Sequence, residues 1–348
     1  MKNLTTGRKA FFSVALALLT LTAIELLFQL FPEPPRSHGY RLIYNPELDF
    51  PKFYLKDKNL FWRLRPNQSI KSDFVVSGEY RTNASGFRDR EFSEKRAAGK
   101  KRILCLGNSV TFGWRVAEGA AYPQALQKLL FDEYEVYNCA QTGYTTFQGE
   151  RLLNELLQKY RPDAVTIAYI WNDILPAANG VSDSEQKMPP QPILSAQNLL
   201  ARFAAYRWGR LLFLKLFSAR PKISETPRIP LPYFRNYLQE MLDSCRAYNA
   251  QPVLVLPPAP KPEWLGIQKE PYQKLFYARF QQYAAEIKKL AALKKCSFVD
   301  ADSALAGELS IWENLPEDFI HPSAQAHQKI ARLLSNAYFE MQKSPAPK

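Results

Sequence analysis

Histidine is almost missing from this chain: His38, His321 and His327 are the only three in 348 residues. The four cysteines, Cys105, Cys139, Cys245 and Cys296, show no zinc-type spacing, and no other metal-ligating cluster is visible. Nor is there a glycine-rich nucleotide-binding loop, so neither a metal nor an organic cofactor is expected. The sequence has no nucleic-acid motif, and its lysines and arginines are spread out. The formal charge of +13 therefore reads as a solvated basic surface, with an anionic lipid or acidic polymer left open as a partner. Glycine is sparse at 14 residues and proline plentiful at 26, which implies stiff connections. Internal repeats are absent, and low complexity is confined to the tail SPAPK. The cysteines read as buried free thiols; a Cys105–Cys139 bridge would require neighbouring strands.

What is present is ordinary globular composition, 46% hydrophobic and 23% charged, in a length that suits one α/β domain with additions. Lys2, Arg8 and Lys9 precede an apolar stretch over residues 10–31. At about 1.5 Å per residue it is long enough to cross a bilayer core. Glu25 and Gln29 interrupt its second half, and residues 10–24 alone have the length of a signal-peptide core. With no small-x-small cleavage site following and no cysteine to carry a lipid, residues 1–31 read first as an uncleaved signal anchor. A cleaved signal and a soluble core helix are the alternatives. The basic flank stays cytoplasmic by the positive-inside rule, which puts the rest of the chain in the periplasm or outside the cell. Pro32, Pro34 and Pro35 then open a stiff linker. Residues 32–100 read as this linker plus a small β lead-in, where FVVSGEYRTNASGFRDREF predicts a short β element with a turn over 83–86.

Residues 102–114, RILCLGNSVTFGW, open as a continuous apolar run of the kind found in parallel strands covered on both faces. Gly107, Asn108 and Ser109 form a tight turn into a helix start, where outward-facing N–H groups can receive an anion or a developing oxyanion. Helical patterns over 121–131, 151–160, 234–248, 272–293 and 327–341 alternate with strand patterns over 135–138, 164–170, 252–256 and 297–299. The fold expected over 101–342 is a three-layer α/β/α, flavodoxin-like parallel sheet, preceded by the transmembrane helix and the β lead-in, with a disordered tail at 343–348. An insertion at about 180–230 contains ILSAQNLLARFAAYRWGRLLFLKLFS. It reads as a helix pair packed on the domain, a lid, or a basic amphipathic helix on the membrane surface.

Ser109, Gly143 and Asn172 each follow a strand, so their loops should meet at one edge of the sheet. Asp318 stands three residues before His321, and Pro322 favours an extended or turn backbone there. Such a turn lets the carboxylate set the imidazole tautomer, and the imidazole can then take a proton from Ser109. His38 lies in the linker and is a poor candidate; His327, at the start of the last helix, reads as structural.

With these blocks in order, the chain resembles the SGNH hydrolases, also called the GDSL esterase/lipase family. Gly107-Asn108-Ser109 matches the family's Gly-Asp-Ser block with Asn for Asp. Gly143 matches its second-block glycine. Ile170-Trp171-Asn172-Asp173 matches Gly-x-Asn-Asp with Ile for Gly, and Asp318 with His321 matches Asp-x-x-His. YRTNASGFRDREF is similar to segments ahead of the nucleophile in bacterial membrane-anchored members. The resemblance covers about residues 78–338. It implies Ser109 as nucleophile, His321 as base and then acid, and Asp318 as its orienting group. It also implies an oxyanion hole from Ser109 N–H, Gly143 N–H and the Asn172 amide. Asn108, Trp171 and Arg228 are candidate substrate contacts. The expected activity is ester hydrolysis outside the cytoplasm. Acyl transfer or deacetylation on envelope polysaccharide is the alternative, and a non-catalytic, membrane-tethered glycan binder the second.

Overall fold

A computed structural model describes residues 6–31, 53–71, 79–217, 223–265, 271–313, 315 and 318–343. The linker prolines, His38, the FVVSG half of the lead-in motif and the SPAPK tail lie outside the described residues. Helix α1 (Thr6–Gln29) is long and apolar enough to cross a membrane, which signal sequences and anchors share. Two antiparallel pairs follow: β1 (Tyr54–Asp57) with β2 (Phe61–Leu64), and β3 (Ser69–Lys71) with β4 (Glu79–Arg81). The turn expected over 83–86 is closed by Gly86 N donating to Asn83 O at 3.0 Å.

The main domain runs β5 (Lys101–Gly107), α2 (Ser109–Phe112), α3 (Tyr122–Leu129), β6 (Tyr134–Asn138), α4 (Thr146–Tyr160) and β7 (Ala164–Ala168). The insertion then supplies β8 (Pro176–Ala178), α5 (Gln191–Leu200), α6 (Ala204–Phe217) and β9 (Ile223–Pro227). It is a helix pair rooted by an antiparallel β8–β9 pairing that the apolar pattern did not reveal. The chain returns through α7 (Leu231–Ala247), β10 (Gln251–Leu256), α8 (Pro271–Lys294), β11 (Ser297–Asp300), α9 (Ala301–Ala304) and α10 (Ala324–Lys343).

The five central strands pair in parallel in the order β11-β10-β7-β5-β6. This is the expected α/β class, and the strand order turns back at β5. Chain direction diverges there, to β6 on one side and β7 on the other, opening a crevice beyond their carboxyl ends. Side chains alternate along each strand. Leu104, Leu106, Val165, Ile167, Leu254 and Leu256 pack under α4, α7 and α8. Ile103, Cys105, Val253 and Val255 pack on the other face against α3 and α10. That alternation keeps the cysteines apart. Cys139 N donates to Cys105 O at 2.9 Å, but the two thiols belong to cores on opposite faces, and all four cysteines are free.

Gly107 is required by close approach. A Cβ there would collide with Thr111 of α2 and sit 2.9 Å from Ala168 O on β7. Gly107→Ala should cost about 1–3 kcal/mol through overpacking, read as a lower denaturation midpoint.

Candidate active site

The loop after β5 is capped at both ends. Asn108, fully buried, accepts the Val110 N–H on its Oδ1 at 3.1 Å and so starts α2. At the other end the buried Arg88 of the lead-in donates to Gly113 O at 2.6 Å and to Val116 O at 2.8 Å. Between these caps Ser109 is 8% exposed at the carboxyl edge of β5.

Across the crevice, residues 318–321 wrap around a carboxylate. Ile320 N and His321 N both donate to Asp318 Oδ1 at 3.2 Å. The His321 Nδ1 stands 2.9 Å from each Asp318 oxygen, and its Nε2 stands 2.8 Å from Ser109 Oγ. A carboxylate facing Nδ1 favours the proton there, which leaves Nε2 free to accept from the Ser109 hydroxyl. Burial pushes the Asp318 carboxyl up, but the His321 charge, its hydrogen bonds and Arg115 outweigh this and hold it at about 2. Arg115 was not anticipated from the sequence. Its Nε stands 2.6 Å from Asp318 Oδ2, an ion pair in which the N–H is not aligned on the oxygen. Arg115 adopts φ +67°, and Tyr80 OH accepts its N–H at 2.8 Å. No spacing rule links residue 115 to 318, so only the fold brings them together.

The loop after β6 is held from behind. Gly143 has φ +76°, a left-handed conformation that glycine adopts without Cβ strain. Trp62 Nε1 of β2 donates to Thr142 O at 3.1 Å. Because the peptide is planar and trans, the Gly143 N–H of that same unit points away from Trp62. Neither Gly143 N nor Ser109 N meets an acceptor among the described residues. After β7, Asn172 is 6% exposed, and one of its amide hydrogens is held by Tyr144 O at 3.1 Å. Tyr144 OH in turn donates to Trp62 O at 2.5 Å. The buried Asp173 accepts Thr146 N and Thr146 Oγ1 at 2.8 and 2.6 Å, tying β7 to α4; burial pushes its carboxyl up to about 7.

The three candidate substrate contacts turn inward. Asn108 is fully buried and uses its Oδ1 on the α2 cap. Trp171, 2% exposed, stacks against Phe276 and Phe280 in the core. Arg228 is buried, with Nε and Nη2 on Asp183 at 3.1 and 2.7 Å and Nη1 on Gly143 O at 2.9 Å. Its charge is matched inside the protein, and it supports the Gly143 loop. Ile170, the other departure from the family pattern, is fully buried in the same core. The buried His327 accepts Tyr122 N on Nδ1 at 3.1 Å and stacks on that ring. Burial lowers its pKa to about 3, keeping it neutral.

A five-strand parallel sheet with Ser109, Gly143, Asn172 and His321 at one edge defines the protein class that the comparisons identify. The GDSL-like lipase/acylhydrolase family model matches residues 105–329; the chain belongs to this family and is a carboxylic ester hydrolase. Thioesterase 1/protease 1/lysophospholipase L1 of Escherichia coli K12 is 30% identical over 148 residues, covering 40% of this chain and 69% of its own. A GDSL-like lipase from Bacteroides thetaiotaomicron VPI-5482 shares 17% identity over 72% of this chain and 93% of its own, with a TM-score of 0.43. A psychrotrophic esterase from Pseudoalteromonas shares 17% over 70% of this chain and 100% of its own, with a TM-score of 0.41.

Trp62→Phe keeps the ring and removes the N–H. It should lower kcat about two- to thirteenfold, the worth of one net hydrogen bond of about 0.5–1.5 kcal/mol, with little change in KM. The Asp318 carboxyl lies below its unfolded value, so its interactions stabilise the fold fully above about pH 4 and are lost as pH falls toward 2. Acid denaturation should steepen across that window in the wild type and flatten in Asp318→Asn.

Proposed function

We propose that this chain hydrolyses carboxylic esters outside the cytoplasm through an acyl-enzyme on Ser109. The Ser109 oxygen attacks the ester carbonyl as its proton passes to His321 Nε2. His321 then returns that proton to the leaving alcohol, and Asp318 keeps the imidazole in register and offsets its charge. The developing oxyanion is received by Ser109 N–H, Gly143 N–H and the free amide hydrogen of Asn172. Water, activated by His321, releases the acid and restores Ser109.

The observation that carries this reading is the hydrogen-bonded run from Asp318 through His321 to Ser109, whose ends lie 209 residues apart or more along the chain and meet at 2.9 and 2.8 Å. The clamped Gly143 and Asn172 support the oxyanion roles. For α1 the contact with α6 supports an uncleaved anchor: Glu25 accepts Ala204 N and Ala205 N at 2.8 and 3.0 Å, a packing that cleavage would remove. Transfer of an acyl group to or from an envelope polysaccharide would share the first step, with a sugar hydroxyl replacing water; a glycan acceptor added to the assay distinguishes the two.

Incubation with an organophosphonate should place the adduct on Ser109 by mass spectrometry, and Ser109→Ala should abolish both adduct and turnover of short aryl esters. Unchanged turnover in Ser109→Ala would sink the proposal. Asn172→Ala should lower kcat by roughly 10²–10³, the usual cost of one oxyanion donor.

A further inference from the structure

The insertion exposes an unusual amount of apolar side chain. Leu199, Phe203, Leu212, Phe213, Leu216 and Phe217 are between 47% and 73% exposed. All lie on α5, α6 or the bend between them, and this pair is bonded to α1. The Glu25 carboxylate takes the N–H groups of Ala204 and Ala205, two of the donors that a helix start leaves without intrahelical partners. One end of α6 is thereby tied to the last two turns of α1. Trp208 then meets Phe31, just beyond the end of α1, at 6.4 Å between ring centroids.

Cations gather at the same junction. Arg202 is exposed, and the neighbouring Arg207 donates to Arg202 O at 2.9 Å. Arg210 and Lys56 line a small cavity between α5, α6 and β1. Arg65 donates to Asn198 O at 3.2 Å in the same place. Burial, then the charges of Arg202 and Arg207, hold the Arg65 guanidinium below its usual range, as expected for like charges crowded together. Large apolar side chains beside clustered arginines match a leaflet boundary, where acyl chains meet anionic headgroups. Here that combination sits at the end of the one helix among the described residues that is long and apolar enough to span the bilayer.

We propose that α5 and α6 dock on the outer surface of the membrane that α1 crosses, with Phe213, Leu216 and Phe217 in the acyl–headgroup boundary and the exposed Arg202 and half-buried Arg210 against the phosphates of anionic phospholipids. This rests on the reading of α1 as a membrane anchor. The catalytic domain is then held in one orientation against the bilayer.

The test uses the full chain, with Cys296→Ser, reconstituted into vesicles of phosphatidylcholine with and without phosphatidylglycerol. A nitroxide is placed at Phe213→Cys, at Phe217→Cys and, as an aqueous reference, at Leu293→Cys, which is 70% exposed near the end of α8. Labels at 213 and 217 should be accessible to oxygen and shielded from a water-soluble nickel chelate, with the reverse at 293. Adding Arg202→Gln and Arg210→Gln should raise chelate access several-fold in the phosphatidylglycerol vesicles. Chelate access at 213 and 217 equal to that at 293, in a chain that resists alkaline extraction, overturns the docking while leaving the anchor standing. So does dipolar broadening between labels, which would mark a second copy on this face. A chain that alkaline carbonate strips from the vesicles overturns the anchor reading and the docking together.

Discussion

Parallel pairing of β5 with both β6 and β7 is the constraint on which the site depends. The register sets Cys105 opposite Asn138 and Gly107 opposite Ala168. Three loops therefore leave the sheet at nearly the same height and at the point where the strand order turns back. Groups distant in sequence then need to travel only a few residues to meet. The polypeptide has no freedom to separate them without sliding a strand, and a one-residue slip would exchange the two hydrophobic faces.

Behind that edge lies a layer of buried polar side chains that hold the loop backbone. Arg88 grips the end of α2, Trp62 grips the Thr142 carbonyl, and Arg228 with Asp183 grips Gly143 O. Burying a guanidinium is costly unless its donors are used, and breaking a buried pair leaves the other charge stranded. These arrangements are therefore stiff, and stiffness is what electrostatic catalysis needs: donors already aimed before charge develops do not have to reorganise during the reaction. The small β lead-in is accordingly part of the scaffold of the candidate site. It supplies Trp62, Tyr80 and Arg88 to the loops that the main sheet only begins.

Much of the fold was legible because its signals are local. Residues 103–106 are apolar without interruption since β5 is covered on both faces, and the amphipathic patterns of α3, α4 and α7 mark the layers. Asp318 and His321 were readable because three residues suffice to close their turn. Ser109 was readable because glycine and asparagine before it announce a strand end. Arg115, Trp62 and the inward turn of Arg228 were not, for they depend on which loop lies against which. The exposed apolar face of the insertion was legible as composition, but its attachment to Glu25 was not.

Sequence alone determined the alternation of strands and helices, the apolar helix at the amino terminus, and the polar residues waiting at strand ends, because each depends on neighbours within a few positions. Tertiary structure alone decided which arginine pairs with which carboxylate, which asparagine caps a helix and which keeps an amide hydrogen to offer, and why neighbouring cysteines stay reduced. Those outcomes turn on which segments the fold sets against one another and how they face, which no local pattern encodes.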